Sequence, residues 1–127
     1  EPVQYEAYGP GGTAIVVNKE GIQKGILVAA MRNKLFLLPG GGANKGESRR
    51  KAAIRELYEE TGLHAYSVKF LFSIKTAMDH KVFLIKAKGH PRPRMEIKHI
   101  RWWTPESKFR ISRGTKRIIE RYLAGSD

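Results

Sequence analysis

Two hydrophobic periods alternate along this chain, and the changes between them mark out its elements. Residues 13–18 (TAIVVN) form a short β-branched run, closed by a turn at Lys19-Glu20-Gly21. Residues 25–31 (GILVAAM) and 34–38 (KLFLL) predict two further strands, with Arg32-Asn33 as a two-residue hairpin. Pro39 ends strand character, and Gly40-Gly41-Gly42 permits sharp backbone geometry. The period then becomes helical. Ser48 is a good N-cap, Ala53, Ile54, Leu57 and Tyr58 form an apolar stripe, and Gly62 follows the last turn at about Thr61. Val68, Phe70, Phe72 and Ile74 alternate with Ser67, Lys69, Leu71 and Ser73, which predicts a half-buried strand with the first set facing the core. A turn at residues 78–80 leads into a strand at 82–87, and the prolines of 89–94 (GHPRPR) keep that segment a loop. Residues 96–103 predict a strand. Ile118, Ile119, Tyr122 and Leu123 predict a second amphipathic helix, with Thr115 near its start and Gly125 past its end. The expected fold is a mixed sheet with two helices, packed as layers in one α/β (α+β) domain spanning residues 1–127.

Composition adds bounds to this pattern. A length of 127 residues supports one domain with a real core and is short for two. No apolar run approaches the ~20 residues needed to span a bilayer, so no membrane partner is expected. The opening EPVQYEAYGP has neither the basic end nor the apolar stretch of a signal peptide. The chain has no cysteine, which excludes disulfides and thiolate metal sites; a cytoplasmic setting is expected. Net charge is +12, from 24 basic and 12 acidic residues. That charge fits either a solvated, self-repelling surface or an anionic partner such as a phosphorylated small molecule or nucleic acid. Residues 92–121 hold ten basic side chains against Glu96, Glu106 and Glu120, whereas four of the twelve acids sit within 47–60.

Those four acids belong to the stretch 41–63, GGANKGESRRKAAIRELYEETGL. A helix advances about 100° per residue, so Glu56, Glu59 and Glu60 share one side of one turn. Like charges this close repel, and a hard divalent cation bound through oxygen is the partner best able to offset that repulsion. The spacing of Gly41, Glu47, Arg55, Glu56, Glu59, Glu60 and Gly62, with Leu57 and Leu63, resembles the Nudix box with every defining position filled. Outside the box, Phe36 to Gly41 is similar to the family's aromatic-x-aliphatic-Pro-Gly-Gly lead-in. Glu96 to Trp102 is similar to its late strand. The resemblance covers about residues 12–124 and implies a MutT-like Nudix α/β/α sandwich, with a mixed β-sheet between helices.

The resemblance also implies an activity: Mg²⁺-dependent hydrolysis, with Mn²⁺ as a substitute, of a pyrophosphate bond in a nucleoside diphosphate-linked or related substrate. Glu56, Glu59 and Glu60 would ligate the metal with the Gly40 carbonyl, while Glu47 and Arg55 orient them. Gly41 and Gly62 complete the motif structurally. Glu96 would be the general base or an extra ligand, or else a solvated strand-start charge. Lys45, Arg49 and Arg50 crowd the N-terminus of a helix whose dipole they oppose, which favours a role in gripping substrate phosphates. Asp79 fits a turn residue or an added ligand. His64, His80, His90 and His99 make no metal-binding spacing. Of Trp102 and Trp103, one is expected in the core and one exposed. Alternatives within the family are a diphosphoinositol polyphosphate, for which the Pro39-to-Gly42 stretch is suggestive, or an RNA 5′ end. A non-catalytic binding module of the same fold is the alternative from another class. A monomer or homodimer is expected.

Overall fold

The computed structural model describes residues 10–76 and 79–125. In chain order these form β1 (Gly11–Ile15), a single 3₁₀ turn (Ile22–Lys24), β2 (Ile26–Ala30), β3 (Gly40–Gly42), α1 (Arg49–Thr61), β4 (His64–Lys75), β5 (Asp79–Lys88), β6 (His99–Trp103) and α2 (Arg113–Gly125). One sheet runs β3-β1-β5-β4 and is mixed, with β1 parallel to β5 and antiparallel to β3; β2 and β6 form a second, antiparallel pair. The fold class expected from the sequence is the one observed.

Both faces of β1 are covered, which explains why all five of its residues are buried. Ala14, Val16, Phe83, Ile85 and Ala87 point toward Ala53 and Leu57 of α1. Ile15 and Val82 point the other way, toward Ile118 and Ile119 of α2. The period-2 alternation of β1 and β5 thus divides the interior into two cores, one per helix. Trp102 packs on the α1 core and Trp103 on the α2 core, both half-buried, so the expected split into one core and one exposed tryptophan is corrected.

Four local departures from the expected elements have physical causes. The chain turns at Arg32-Asn33 as expected, the Lys34 amide donating to the Met31 carbonyl, but Lys34 at φ 60° joins the turn and the arm that follows pairs too briefly to count as a strand. In that arm, Leu37 alone pairs with Ala29, while Phe36 is drawn to Ile111 instead. In β4 a bulge between Phe70 and Phe72 adds a residue, which reverses the faces of all that follow. Val68 therefore packs on the α1 core and Phe72 and Ile74 on the α2 core, not on one common face. On α1 the buried positions are Ala52, Ala53, Leu57 and Thr61, and Tyr58 lies exposed against His64, with ring centroids 4.7 Å apart. Finally, β6 begins at His99, three residues later than expected, and Glu96 sits in the turn before it.

That delay follows from what the 92–97 loop does for α1. Ser48 caps the helix start, its hydroxyl accepting the Lys51 amide at 3.1 Å, and Gly62 ends it in the left-handed region at φ 79°. The remaining C-terminal carbonyls need donors. Arg92 and Arg94 supply them: their amides donate to the Thr61 carbonyl at 3.0 Å and the Glu60 carbonyl at 3.2 Å. The Arg94 guanidinium also donates to the Tyr58 carbonyl at 2.8 Å and lies 4.5 Å from the Tyr58 ring centroid. A backbone committed to the helix end cannot join a ladder, and pairing resumes only where the Lys98 amide meets the Ala30 carbonyl. Replacing Arg94 with Ala removes one charge-assisted hydrogen bond and the ring contact, with an expected loss of about 1 kcal/mol in urea unfolding. An unchanged midpoint would show that the backbone bonds alone hold the helix end.

Candidate active site

Arg55 organises the carboxylates that α1 carries over β3. Its Nε and Nη2 donate to the two oxygens of Glu47 at 2.8 and 2.9 Å, a two-pronged grip. Nη1 donates to Glu56 at 3.2 Å and to Glu59 at 3.1 Å, and Nη2 also reaches the Gly42 carbonyl at 3.1 Å. Five bonds match the five donors of a guanidinium. The Glu47 hydrogen bond leads the causes that hold Arg55 more firmly protonated than usual, and the same bond draws the Glu47 carboxyl below its ordinary range. The other oxygen work of Glu47 is local: it accepts the Asn44 amide at 2.9 Å, which pins the loop ahead of the helix.

Glu60 lies beyond the reach of Arg55. Its carboxyl is deeply surrounded by protein, and burial, then the neighbouring Glu56, push it well above the usual carboxylate range; the Gly40 amide opposes the shift. Glu56 is raised too, chiefly by burial, while Arg55 pulls it down. The like charge of Glu56 thus adds to burial in disfavouring the ionised form of Glu60. Gly41 makes this packing feasible. A Cβ at that position would stand 2.5 Å from a Glu56 carboxylate oxygen, so bare backbone is required.

The structure therefore joins Glu47, Arg55, Glu56, Glu59, Glu60, Gly40 and Gly41 in one place. Gly62 serves at the helix end. Lys45 is exposed in the loop before the helix, and Arg49 and Arg50 border a separate groove with Phe70 and Lys81. Glu96 is exposed, and among the described residues no hydrogen bond or ion pair links it to the box carboxylates. No three acidic or imidazole groups among the described residues converge tightly enough to hold a cation as they stand, because Glu59 is turned to Arg55. The donor chemistry nonetheless fits one: hard carboxylate oxygens in excess of cationic partners, with Arg55 the single countercharge.

On the far side of Gly40 and Gly41 lies a cavity of about 590 Å³, walled by Thr13, Leu38, His80 and the first turn of α2 with Arg113 and Arg117. His80 Nδ1 is 2.8 Å from the Thr13 hydroxyl, and burial lowers its pKa. The sequence reading missed this wall. The register of β5 held the signal, since His80 lies two residues before the buried Val82 and shares its face.

The raised Glu60 carboxyl carries a consequence for stability. Between the ordinary carboxylate value of 4.5 and the raised one, the folded chain holds a proton that the unfolded chain lacks. Metal-free stability should therefore fall as pH rises through the raised value. Glu60→Gln should melt higher than wild type near neutral pH, with the gap closing as pH falls toward 4.5. Melts of the metal-free proteins across that range decide it, and a mutant less stable at neutral pH would contradict the upward shift of the Glu60 carboxyl.

Comparison with known proteins agrees with this geometry. The chain aligns with 88% of its residues, and 95% of the other chain, to a MutT nudix hydrolase from Burkholderia pseudomallei at 20% identity and a TM-score of 0.72, a likeness of fold. A nudix hydrolase family member from Chromobacterium violaceum is closer in sequence: 38% identical, TM-score 0.81, covering 91% of this chain and 77% of that one. An RNA pyrophosphohydrolase from Cereibacter sphaeroides is 37% identical over 68 residues, or 50% of this chain. The chain spans 40% of the length of that relative. The family model described as NUDIX domain matches residues 8–122. With the box assembled around Arg55 and the model matched over nearly its whole length, this chain belongs to the Nudix family.

Proposed function

We propose that this protein hydrolyses a pyrophosphate bond in a nucleoside diphosphate-linked or related substrate, using Mg²⁺, or Mn²⁺ in its place. The observation that carries the reading is the gathering of Glu47, Glu56 and Glu59 around one fully engaged Arg55, with Glu60 in the next position on the helix against the bare backbone of β3. Glu56, Glu59, Glu60 and the Gly40 carbonyl would hold the metal. When bound, it would neutralise pyrophosphate oxygens and lower the pKa of a water. Arg55 fixes the side chains of Glu56 and Glu59, and Glu47 keeps Arg55 from wandering, a supporting layer that sets ligand orientation.

The proton of the attacking water needs an acceptor. Glu59 takes that role, in place of ligation, where Glu56, Glu60 and the Gly40 carbonyl suffice for the metal: it is open to water and Arg55 is its one ion-pair partner among the described residues. Glu96 is the rival acceptor from outside the box, and the two make different predictions. Loss of a general base lowers kcat by about 10²-fold or more. We expect that fall for Glu59→Gln with KM little changed, and a smaller effect for Glu96→Gln. The reverse ranking would move the base to Glu96. If excess Mg²⁺ rescues either variant, that residue is a ligand.

An RNA 5′ end is a second reading, supported by the name of the Cereibacter sphaeroides relative and by the +12 charge. The test of the main proposal is phosphate release across nucleotides, dinucleoside polyphosphates, diphosphoinositols and 5′-triphosphorylated RNA. Glu60→Gln is expected to abolish turnover of whichever is cleaved by about 10²-fold or more while the chain stays folded. A folded, fully active Glu60→Gln would overturn the assignment.

A further inference from the structure

Phe70 is a large aromatic side chain that the fold leaves half in water, 51% exposed. The bulge after it causes this. Residues beyond the bulge turn to the α2 core, while Phe70 stays on the α1 side, past the end of the helix that would cover it. Its only ring neighbour among the described residues is Phe83, in an edge-on contact at 5.7 Å and 63°. Lys81 Nζ stands 5.9 Å from the ring centroid. With Arg49 and Arg50 from the first turn of α1, these residues line a groove of about 530 Å³. The one acid in its wall, Glu47, is committed to Arg55. Lys81 shares the face of Phe70 and Phe83, while Lys69, Lys86 and Lys88 lie on the opposite face of the β4–β5 pair.

An open ring face among cations is the chemistry that takes an unpaired base with its phosphates. We propose that this groove binds single-stranded nucleic acid, one base lying on Phe70 and the adjoining phosphates against Lys81, Arg49 and Arg50. The inference rests on the carboxylate cluster being a pyrophosphate-hydrolysing centre, and it names the substrate class: an oligonucleotide with a 5′ polyphosphate. Glu47 links the two places, since it walls the groove and grips the arginine that sets Glu56 and Glu59. A strand whose 5′ end reacts at the carboxylates can continue into the groove, whereas a mononucleotide has nothing to place there. An acidic peptide would use the cations and ignore the ring.

The test is fluorescence anisotropy of a labelled single-stranded oligouridylate of about ten nucleotides with the full chain, in wild type, Phe70→Ala, Phe70→Trp and Lys81→Ala. Binding should weaken about tenfold in Phe70→Ala and return in Phe70→Trp, the scale of one base stack. Lys81→Ala should bind more weakly and with a shallower salt dependence. Unlabelled single strand should compete well, and duplex of the same length poorly. Equal binding by wild type and Phe70→Ala, or equal competition by duplex, would overturn the proposal and leave a merely basic surface. Phe70 is exposed, so its variants should fold, and the Phe70→Trp arm guards against a structural loss. Because binding is read without chemistry, Glu60→Gln should keep it. Failure of turnover across all pyrophosphates would overturn the catalytic reading while the anisotropy still decides the groove. In turnover, Phe70→Ala should lower kcat/KM for 5′-triphosphorylated oligouridylate about tenfold and leave that for ATP within about twofold.

Discussion

The guanidinium of Arg55 is the point on which the rest of the site depends. Its five hydrogen bonds tie together the loop at Glu47, the edge strand at Gly42 and the helix at Glu56 and Glu59. Without it, a helix carrying three carboxylates in one turn would meet a strand edge with no countercharge between them. With it, Glu47 and Glu59 are paired, Glu56 is partly so, and the surplus falls on Glu60. The raised carboxyls of Glu56 and Glu60 follow from this balance of charge and burial.

The fold exists to keep that arrangement rigid. β1 lies between two cores, so neither α1 nor α2 can shift without disturbing its buried residues. β3 is only three residues long, but it is hydrogen-bonded to β1 and presses its glycine backbone on Glu56. The C-terminal end of α1, where Glu59 and Glu60 stand, is closed by donors from the 92–97 loop rather than by the helix itself. Positions far apart in sequence thus fix one turn of helix from both ends.

Much of this was legible in the chain. Ser48 and Gly62 announced the ends of α1, and the glutamate spacing announced a charged turn, because capping and helical periodicity are local rules. The resemblance assigned Glu47 and Arg55 to orienting the carboxylates, and their two-pronged grip on each other is what the structure adds. What failed to show depended on distant partners. The β4 bulge cannot be read from an alternating pattern that continues through it, so Phe72 was assigned the wrong face. Residues 96–98 look like strand, yet Arg92 and Arg94 are held by the helix end, and the ladder starts late. The His80–Thr13 contact joins residues 67 apart in sequence, so the period of β5 gives the face of His80 but not its partner.

The central claim is that Glu56 and Glu60, whose carboxyls are raised chiefly by burial, stand in the place where a divalent cation would bind. Calorimetric titration of Mg²⁺ into the metal-free chain at about pH 7, repeated in buffers of different ionisation enthalpy, counts protons released on binding. The account predicts proton release that increases as the titration is moved to lower pH, and less release in Glu60→Gln. Mg²⁺ binding to wild type with no proton release would contradict it.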